Sequence, residues 1–306
     1  MQVHRSIDQL PRFQNSVITI GTFDGVHQGH QQIIEALKAE AHAVNGETVI
    51  ITFDPHPRKI VHPHTNLHLI NTLEEKIELL SRTGIDHLVV VPFTKEFSDQ
   101  PAEAYIEHFL IGKFQPHSII IGYDHHFGHE RKGNFRLLEN NAQHFKYKLL
   151  EIPKHVLDSI AVSSTKIRKA IQESHIETAN KLLGYDFYFE GVVIPGDKLG
   201  RQLGYPTANL EYTSKEKIHL GHGVYAVHVE IEGETKKGML SIGDRPTLNR
   251  PGEKVEVNIF DFNRDIYGKT MRVIVRKFLR EQVKYNSLEE LIEQLHKDRE
   301  NSLAAL

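Results

Sequence analysis

Short runs of β-branched and aliphatic residues alternate with helical patterns through the first half of the chain. The predicted strands cover residues 17–20, 48–53, 87–92, 118–121 and 147–152. Apolar residues recur at helical spacing between these strands: one stripe holds Ile33, Ile34, Leu37, Ala41 and Val44, and another holds Leu73, Ile77 and Leu80. Strands that alternate with helices form a parallel sheet covered on both faces. The first half is therefore predicted to be a doubly wound α/β domain.

Two of these helices carry recognisable start signals. Thr72 and Glu75 have the spacing of a capping box, in which each side chain bonds the other residue's backbone N–H. Pro101 follows Ser98 and Asp99, and proline is favoured in the first turn of a helix. We therefore expect helices to begin at residue 73 and shortly before residues 104–109.

The pattern changes after residue 183 to the period-two alternation of strands joined by turns. Residues 225–231 and 238–242 form one predicted hairpin, and 255–262 and 271–279 add two strands. Ser287 and Glu290 then cap a helix with its own apolar stripe. The second half is predicted to be an antiparallel β-barrel with a terminal helix.

The length supports this division, because 306 residues exceed one average hydrophobic core. Of the 21 histidines, 17 lie before residue 184 and 4 after it. We therefore predict two domains, 1–183 and 184–306.

Composition excludes several classes of function. The absence of cysteine rules out disulfides, thiolate zinc sites and cysteine nucleophiles. The net charge is -3 and no basic run exceeds two residues, which argues against nucleic acid as a partner. No apolar stretch approaches the length of about 18 residues that a membrane span needs, and no export or transit peptide is visible. We expect a cytoplasmic protein that uses small-molecule substrates.

A glycine-rich segment follows the first predicted strand. Gly21-Thr22-Phe23-Asp24-Gly25 leads through Val26 to His27-Gln28-Gly29-His30, where the first helix begins. A helix N-terminus beyond the carboxyl end of a parallel strand is a favourable anion site. Two imidazoles there can stabilise charge on a phosphoryl group during in-line displacement. Read alone, the two histidines are equally compatible with ordinary polar residues at a helix start.

A second candidate for phosphate binding is the segment that contains Ser163, Ser164, Thr165 and Arg168. Hydroxyl groups at a helix start bond either free N–H groups or a phosphate oxygen, and Arg168 one turn later can reach the same anion. In isolation, the segment indicates no more than a capped helix. Its combination with the two histidines is similar to the paired motifs of the nucleotidyltransferase superfamily.

The second half has no P-loop. Gly268-Lys269-Thr270 superficially matches the end of that motif, but Asn263 stands where the first glycine is required, and the segment reads as a hairpin. The stronger signal is a glycine-rich loop that starts at Gly196 and ends in Thr207 and Asn209. Their oxygen atoms suit Mg²⁺ and project to the same side of an extended chain.

Glu256 belongs to a predicted strand in which Val255, Val257 and Ile259 share one face. A carboxylate beside a triphosphate can accept the proton of an attacking hydroxyl. Periodicity alone favours an ordinary solvated strand residue at this position.

Taken together, these motifs resemble the bacterial bifunctional riboflavin kinase and FMN adenylyltransferase (FAD synthetase) family. The resemblance covers essentially the whole chain. It rests on segments 21–30, 52–57, 122–128, 131–133, 163–168, 196–198, 203–209, 223–226, 255–262, 265–269 and 277–280. It implies a nucleotidyltransferase domain that adenylylates FMN and a six-stranded barrel that phosphorylates riboflavin, with ATP, riboflavin and FMN as substrates and Mg²⁺ as cofactor.

The resemblance also implies roles for individual residues. In the first half, His27 and His30 would be catalytic, and the ligand-binding residues would be Gly21, Thr22, Phe23, Asp24, Gly25, Gly29, His56, Asp124, Ser163, Ser164, Thr165 and Arg168. In the second half, Glu256 would be the base, Thr207 and Asn209 would serve Mg²⁺, and the substrate-binding residues would be Gly196, Lys198, Gly204, Pro206, Asn209 and Arg280.

Two positions depart from the family pattern. His126 stands where an arginine is common, so phosphate attraction there is expected to depend on pH. Asp244 replaces a small polar residue before Arg245 and Pro246. The many other histidines show no helical metal-ligand spacing, and a zinc site is not expected.

Two alternatives remain open from the sequence. The first is a nucleotidyltransferase for another phosphorylated acceptor, with a non-catalytic barrel as a binding module. The second is a protein that senses or stores flavin without turnover. A transient homo-oligomer is also left open.

Overall fold

The computed structural model describes residues 1–123, 125–152, 162–196, 199–244 and 253–306. These residues form two compact units. The first contains Met1–Leu67 and Asn71–Ser164, and the second contains His68–Ile70 and Thr165–Leu306. The second unit thus takes in residues on both sides of position 183/184, and the functional boundary at that position stays a prediction.

The first unit contains a sheet of six parallel strands. These are β1 (Gln2–His4), β2 (Val17–Ile20), β3 (Thr48–Asp54), β4 (His87–Pro92), β5 (Ser118–Gly122) and β6 (Lys148–Ile152). Their order in the sheet is β1-β4-β3-β2-β5-β6. The five predicted strands are present within one residue at each end. The sequence missed β1, because three residues are too few to show a period.

Helices cover this sheet. They are α1 (Gln28–Ala43), α2 (Pro57–Val61), α3 (Leu73–Ser81), α4 (Lys95–Ser98) and α6 (Phe135–Phe145), with α5 formed by Ala102–Ala104, a π-helical stretch Tyr105–Ile111 and Gly112–Phe114. The predicted capping box starts α3, with both hydrogen bonds between Thr72 and Glu75 present. The helix expected near residues 104–109 is wound mainly as a π-helix, whose buried aromatic residues Tyr105 and Phe109 pack into the core.

The strand order reverses at the centre of the sheet, beside β2. Strand β2 is followed by β3 on one side, whereas β5 pairs with the other side of β2. Doubly wound sheets bind ligands beyond the carboxyl ends of the strands at such a reversal, here β2 and β5. The loops that follow Ile20 and Gly122 both begin there.

The second unit is built around a closed antiparallel barrel. Its strands are β7 (Tyr188–Ile194), β8 (Ala208–Tyr212), β9 (Gly223–Ile231), β10 (Glu234–Asp244), β11 (Glu253–Ile259) and β12 (Thr270–Arg280). They pair in the order β10-β11-β8-β7-β12-β9, and β10 closes onto β9. The hydrophobic pattern found β9 to β12, whereas the six-stranded barrel was expected from the family resemblance.

In the described part of the chain, the helices that accompany the barrel are α7 (Ser164–Gln172), α8 (Ile176–Leu183), α9 (Leu199–Gln202) and α10 (Leu288–Ala305). Helix α10 begins at the predicted Ser287 cap and packs against β9, β10 and β12. On α8, Asn180 donates a hydrogen bond from Nδ2 to the Val275 carbonyl of β12, at 2.9 Å. Both α7 and α8 therefore precede the barrel in sequence but belong to the same unit.

The segment His68–Ile70, from the first half of the chain, also belongs to this unit. Leu69 forms an isolated parallel bridge with Lys217, donating its N–H to Glu216 O and accepting from Ile218 N. The buried Lys217 ammonium donates to Ile70 O at 2.8 Å. Among the described residues, no helix has the length and apolar character to cross a bilayer.

Candidate active sites

The loop after β2 has a strained backbone. Phe23, Gly25 and Val26 have φ values of 48°, 91° and 36°. Positive φ is unfavourable for a bulky or β-branched residue, yet Phe23 and Val26 are both buried and held in it. Strain of this kind persists only where the surrounding structure imposes it, and it concentrates at ligand-binding sites.

The two predicted histidines meet at the start of α1. His27 is the N-cap residue, and its Nδ1 accepts a hydrogen bond from the backbone N–H of His30 at 3.3 Å. The two imidazoles are stacked, with centroids 3.7 Å apart and planes 13° apart. Gly29 makes room for this arrangement, since a Cβ there would lie 3.2 Å from Cε1 of His27. Because Nδ1 of His27 accepts, the proton of a neutral ring lies on Nε2.

His30 is kept neutral by its surroundings. Burial lowers the pKa of His30 well below 6.5, and the neighbouring His27 and Lys76 charges lower it further. Its Nδ1 is buried and has no hydrogen-bond partner within the described part of the chain. The pair therefore presents one uncharged imidazole with an unused polar nitrogen at the carboxyl edge of the sheet.

Asp24 connects this loop to two other segments of the first unit. Its Oδ1 accepts from the backbone N–H of Asn71 at 3.2 Å, and its carbonyl accepts from Ser164 Oγ at 3.0 Å. Ser163 lies just before this contact and is partly exposed. The structure thus brings Ser164 to the glycine-rich loop, and its expected role in binding the adenylyl donor stays a prediction.

Thr165 and Arg168 belong to the second unit, one residue and one turn further along α7. Thr165 is exposed, and Arg168 donates from Nε to the His68 carbonyl at 3.0 Å. Their expected contact with the adenylyl donor stays a prediction.

The segments expected near the flavin follow β3 and β5. His56 is the N-cap residue of α2, and its Nδ1 accepts from Arg58 N at 3.1 Å. Asp124 lies outside the described residues. His126, which departs from the family pattern, is exposed. Burial is the main cause that lowers the pKa of the adjacent His125 to about 4.

Sequence reasoning missed two residues beneath the glycine-rich loop. Thr52 on β3 donates from Oγ1 to the Thr22 carbonyl at 3.1 Å, and Lys76 on α3 donates to the same Oγ1 at 3.3 Å. Both are buried. The sequence signal that could have identified Lys76 is its spacing. It lies three residues before Leu79 and four before Leu80, and both leucines are buried on the inner face of α3.

In the barrel, the predicted metal residues lie beside the predicted base. Asn209 is 5% exposed and stands directly across from Glu256 in the β8–β11 pairing. Its Oδ1 is buried and, among the described residues, lacks a hydrogen-bond partner. Gly196 is required here, because a Cβ at that position would lie 2.0 Å from Nδ2 of Asn209.

One oxygen of Glu256 receives two donors. Thr207 Oγ1 donates to Oε1 at 3.1 Å, and the Lys254 ammonium lies 3.0 Å from the same atom. Lys254 was not predicted. The Pro206 carbonyl accepts from Asn258 Nδ2 at 2.7 Å, which holds the loop after Gly204 against β11. The structure thus brings Thr207, Asn209 and Glu256 together, with Lys254 beside them. Their expected roles stay a prediction.

Two further predicted residues of the second half are Lys198 and Arg280. Lys198 is not among the described residues. The Arg280 guanidinium donates to both carboxylate oxygens of Asp298 on α10, at 2.9 Å from Nε to Oδ1 and 2.6 Å from Nη2 to Oδ2. Asp298 is 1% exposed. The Arg280–Asp298 ion pair therefore links the terminal helix α10 to β12.

Comparisons with known proteins show the family of this chain. The FAD synthetase family model matches residues 10–166, and the riboflavin kinase family model matches residues 183–306. The chain belongs to the bifunctional riboflavin kinase/FMN adenylyltransferase family. Members of this family join the two activities that the two models name in one chain.

Individual relatives span nearly the full length. The bifunctional riboflavin kinase/FMN adenylyltransferase of Listeria monocytogenes is 37% identical over 95% of this chain and 92% of its own. The proteins of the same description from Bacillus subtilis and Escherichia coli are 35% and 31% identical, over 94% and 96% of this chain and 92% and 93% of their own.

A solved structure shares the fold. A Streptococcus pneumoniae protein described as a macrolide-efflux protein superimposes with a TM-score of 0.87 and 30% identity, over 98% of both chains. Its description names another activity, so this similarity bears on the architecture alone.

Proposed function

We propose that the two activities of this bifunctional enzyme are carried by the two side-chain clusters described above. The barrel phosphorylates riboflavin with ATP at Thr207, Asn209 and Glu256, and the first unit transfers AMP from a second ATP to FMN at His27 and His30. The observation that carries this proposal is that each unit has its own set of groups suited to phosphate chemistry. FMN made in the barrel is then the acceptor in the first unit.

In adenylyl transfer, a phosphate oxygen of FMN attacks the α-phosphorus of ATP. The bond from that phosphorus to the bridging oxygen breaks, and pyrophosphate leaves with the electron pair. No side-chain nucleophile is required. Nε2–H of His27 and the neutral ring of His30 are placed to stabilise charge that grows on the α-phosphoryl oxygens, beside the N–H groups at the start of α1.

In the kinase reaction, the terminal hydroxyl of the riboflavin side chain attacks the γ-phosphorus, and ADP leaves. Glu256 accepts the hydroxyl proton as general base. Its Oε1 is already bonded to Thr207 and Lys254, so Oε2 is the oxygen left for the substrate.

The donor set in the barrel fits Mg²⁺. Asn209 offers a buried carbonyl oxygen that has no hydrogen-bond partner in the described ranges, and Thr207 offers a hydroxyl, both of them hard oxygen ligands. When bound, Mg²⁺ would neutralise phosphate charge during transfer. Thr207 and Asn209 are the residues that would hold it, while Glu256 stays available for the proton.

The other predicted residues keep their expected places in this proposal. Ser164, Thr165 and Arg168 serve the triphosphate of the adenylyl donor, His56 and Asp124 border FMN, and Lys198 serves the kinase substrate. For Arg280, the bonds to Asp298 support an indirect role through the terminal helix. Because both reactions consume ATP, we place the enzyme in the cytoplasm, with small molecules as its partners.

The test is product analysis with the full chain. Incubation with riboflavin, ATP and Mg²⁺ should produce FMN and then FAD, separated by chromatography, with one pyrophosphate released per FAD. FAD formation from added FMN without any FMN formation from riboflavin would contradict the kinase assignment. Flavin binding without either product would contradict both.

A further inference from the structure

Lys76 is a buried cation that neither proposed reaction uses. It is 6% exposed and lies on α3, one residue after the Glu75 that closes the capping box. Lysine is almost never fully buried unless it is paired. Among the residues that the structure describes, Thr52 is the one hydrogen-bond partner of its ammonium, at 3.3 Å. An ammonium has three N–H donors, so two of them are not used by these residues.

The bond to Thr52 leads directly into the glycine-rich loop. Thr52 accepts from Lys76 and donates its own hydroxyl proton to the Thr22 carbonyl at 3.1 Å. The ammonium therefore fixes the direction of a hydroxyl that would otherwise rotate. The held carbonyl belongs to the residue just before Phe23, where the strained backbone begins.

The charges around Lys76 belong to the adenylyl site. Burial lowers the pKa of Lys76, and the carboxylates of Asp24 and Asp54 oppose that shift. His30 faces it from α1, and the Lys76 charge is one of the causes that lower the pKa of His30. Among the described residues, His27, stacked on His30, is a further titratable group of this cluster. A positive charge thus acts on His30 at the site where a triphosphate is expected to bind.

A purely packing role does not account for this residue. A methionine has nearly the same length and would fill the same space without the penalty of removing a charge from water. What a lysine adds is a hydrogen bond to Thr52 and a positive potential at the site.

We propose that Lys76 is a positioning residue for adenylyl transfer, which holds the glycine-rich loop through Thr52 and supplies a fixed positive charge that acts on His30. This inference rests on the proposed function of the His27–His30 pair. The charge attracts the triphosphate and adds to the burial that keeps His30 unprotonated, so His30 can act as a neutral partner of the phosphoryl group.

The experiment compares Lys76→Met, Lys76→Arg and Thr52→Val in the full chain, with Lys38→Met as the control because it removes an exposed ammonium from the same unit. Pyrophosphate release from FMN and ATP is measured across a pH series, and FMN formation from riboflavin is measured in the same preparations. Lys76→Met should lower kcat/KM for FMN adenylylation about tenfold or more, in the range of a lost preorganised charge. The acid limb of its pH–rate profile, where activity falls as the pH is lowered, should move to higher pH, because His30 gains a proton more easily without the lysine.

The other variants separate charge from hydrogen bonding. Lys76→Arg should keep the wild-type acid limb even where its larger head group lowers the rate. Thr52→Val should lower the rate without moving that limb, and Lys38→Met should change neither. Should Lys76→Met lose its folded state, Lys76→Gln carries the same test, because it keeps a donor to Thr52 but no charge.

Two results would overturn the inference. The first is wild-type adenylylation in folded Lys76→Met. The second is a lower rate in Lys76→Met whose acid limb stays at the wild-type pH. Failure of the proposed function is distinguishable, since the unaltered chain would then release no pyrophosphate from FMN and ATP.

Discussion

The imidazoles of His27 and His30 lie face to face, 3.7 Å between centroids. Two like charges at this separation repel strongly, so the two rings take up protons as a coupled pair. Burial lowers the pKa of His30, and the nearby His27 and Lys76 charges lower it further, so this ring stays neutral. The pair is thereby prepared, before any substrate arrives, to meet phosphate with hydrogen bonds rather than with a second positive charge.

Replacing His27 by alanine should lower FMN adenylylation by about 10² to 10³, the usual loss for one preorganised donor. His30→Ala should have a similar effect. FMN formation from riboflavin should be unchanged, since Glu256 and its neighbours are in the other unit. Pyrophosphate release and flavin chromatography on one preparation measure both reactions. A folded His27→Ala variant that lost FMN formation as well would show that the two sites do not act independently.

Glu256→Gln should give the reverse result. The amide keeps the shape of the side chain but cannot accept the hydroxyl proton, so FMN formation should fall by about 10² to 10⁴. FAD formation from supplied FMN should persist. Lys254→Met is the matched companion: it leaves the base in place but removes its cation, and we expect a smaller loss. Equal activity of Glu256→Gln and the unaltered chain would exclude Glu256 as the base.

Gly196→Ala should impair the kinase through Asn209. The added Cβ would lie 2.0 Å from Nδ2 of Asn209, so that side chain must move. We expect the Mg²⁺ concentration for half-maximal FMN formation to rise, as in Asn209→Ala. Gly233→Ala is the control, because it strains a turn at the tip of the β9–β10 hairpin where nothing lies within 4 Å of the new Cβ. An unchanged Mg²⁺ requirement in both Gly196→Ala and Asn209→Ala would remove Asn209 from the metal site.

Asp298→Ala should destabilise the barrel unit. It leaves the Arg280 guanidinium without its carboxylate, and breaking a buried ion pair of this kind costs about 3 kcal/mol. The value is at the low end of the range because the Arg280 side chain is 20% exposed. Urea unfolding followed by circular dichroism measures the change. If Arg280→Lys instead raised the KM for riboflavin without lowering the unfolding midpoint, Arg280 would act on the ligand.

The first unit should lose stability as the pH falls below about 6.5. The pKa of His30 is lowered in the folded chain, so between its folded pKa and 6.5 the unfolded chain binds more protons. His125, with a pKa of about 4, extends the same trend down to that value. Each contributes a slope of up to about 1.4 kcal/mol per pH unit. Urea midpoints measured through this window should rise with pH, and His30→Asn should flatten the dependence.

Much of this architecture follows from local patterns in the sequence. The five β-branched runs of the first half form strands because buried parallel strands need continuous apolar residues, and such runs are easily found. The glycines and histidines of the sequence also mark the glycine-rich loop after β2. Periodicity does not predict which side chains contact each other. Thr52 contacts the loop, and Lys76 contacts Thr52, because β3 and α3 pack together in the folded unit.

The barrel shows the same limit. Thr207, Asn209 and Glu256 were expected at one site from their chemical types and the family resemblance, and the strand register brings them together. Lys254 was overlooked, because a lysine next to a strand glutamate usually signals a solvated surface. Arg280 was read as a ligand contact, and its engagement with Asp298 depends on how α10 returns across β12, which no local pattern reveals.

The three residues His68–Ile70 have a practical consequence. The second unit is discontinuous in sequence, so no single scission of the polypeptide separates the two units intact. A truncated product comprising 184–306 would lack the backbone bridge to Leu69, and Lys217 would lose its acceptor at Ile70 while remaining enclosed by Phe187 and Tyr188. Attempts to dissect the enzyme into autonomous halves should therefore graft this tripeptide back or inactivate one site by substitution.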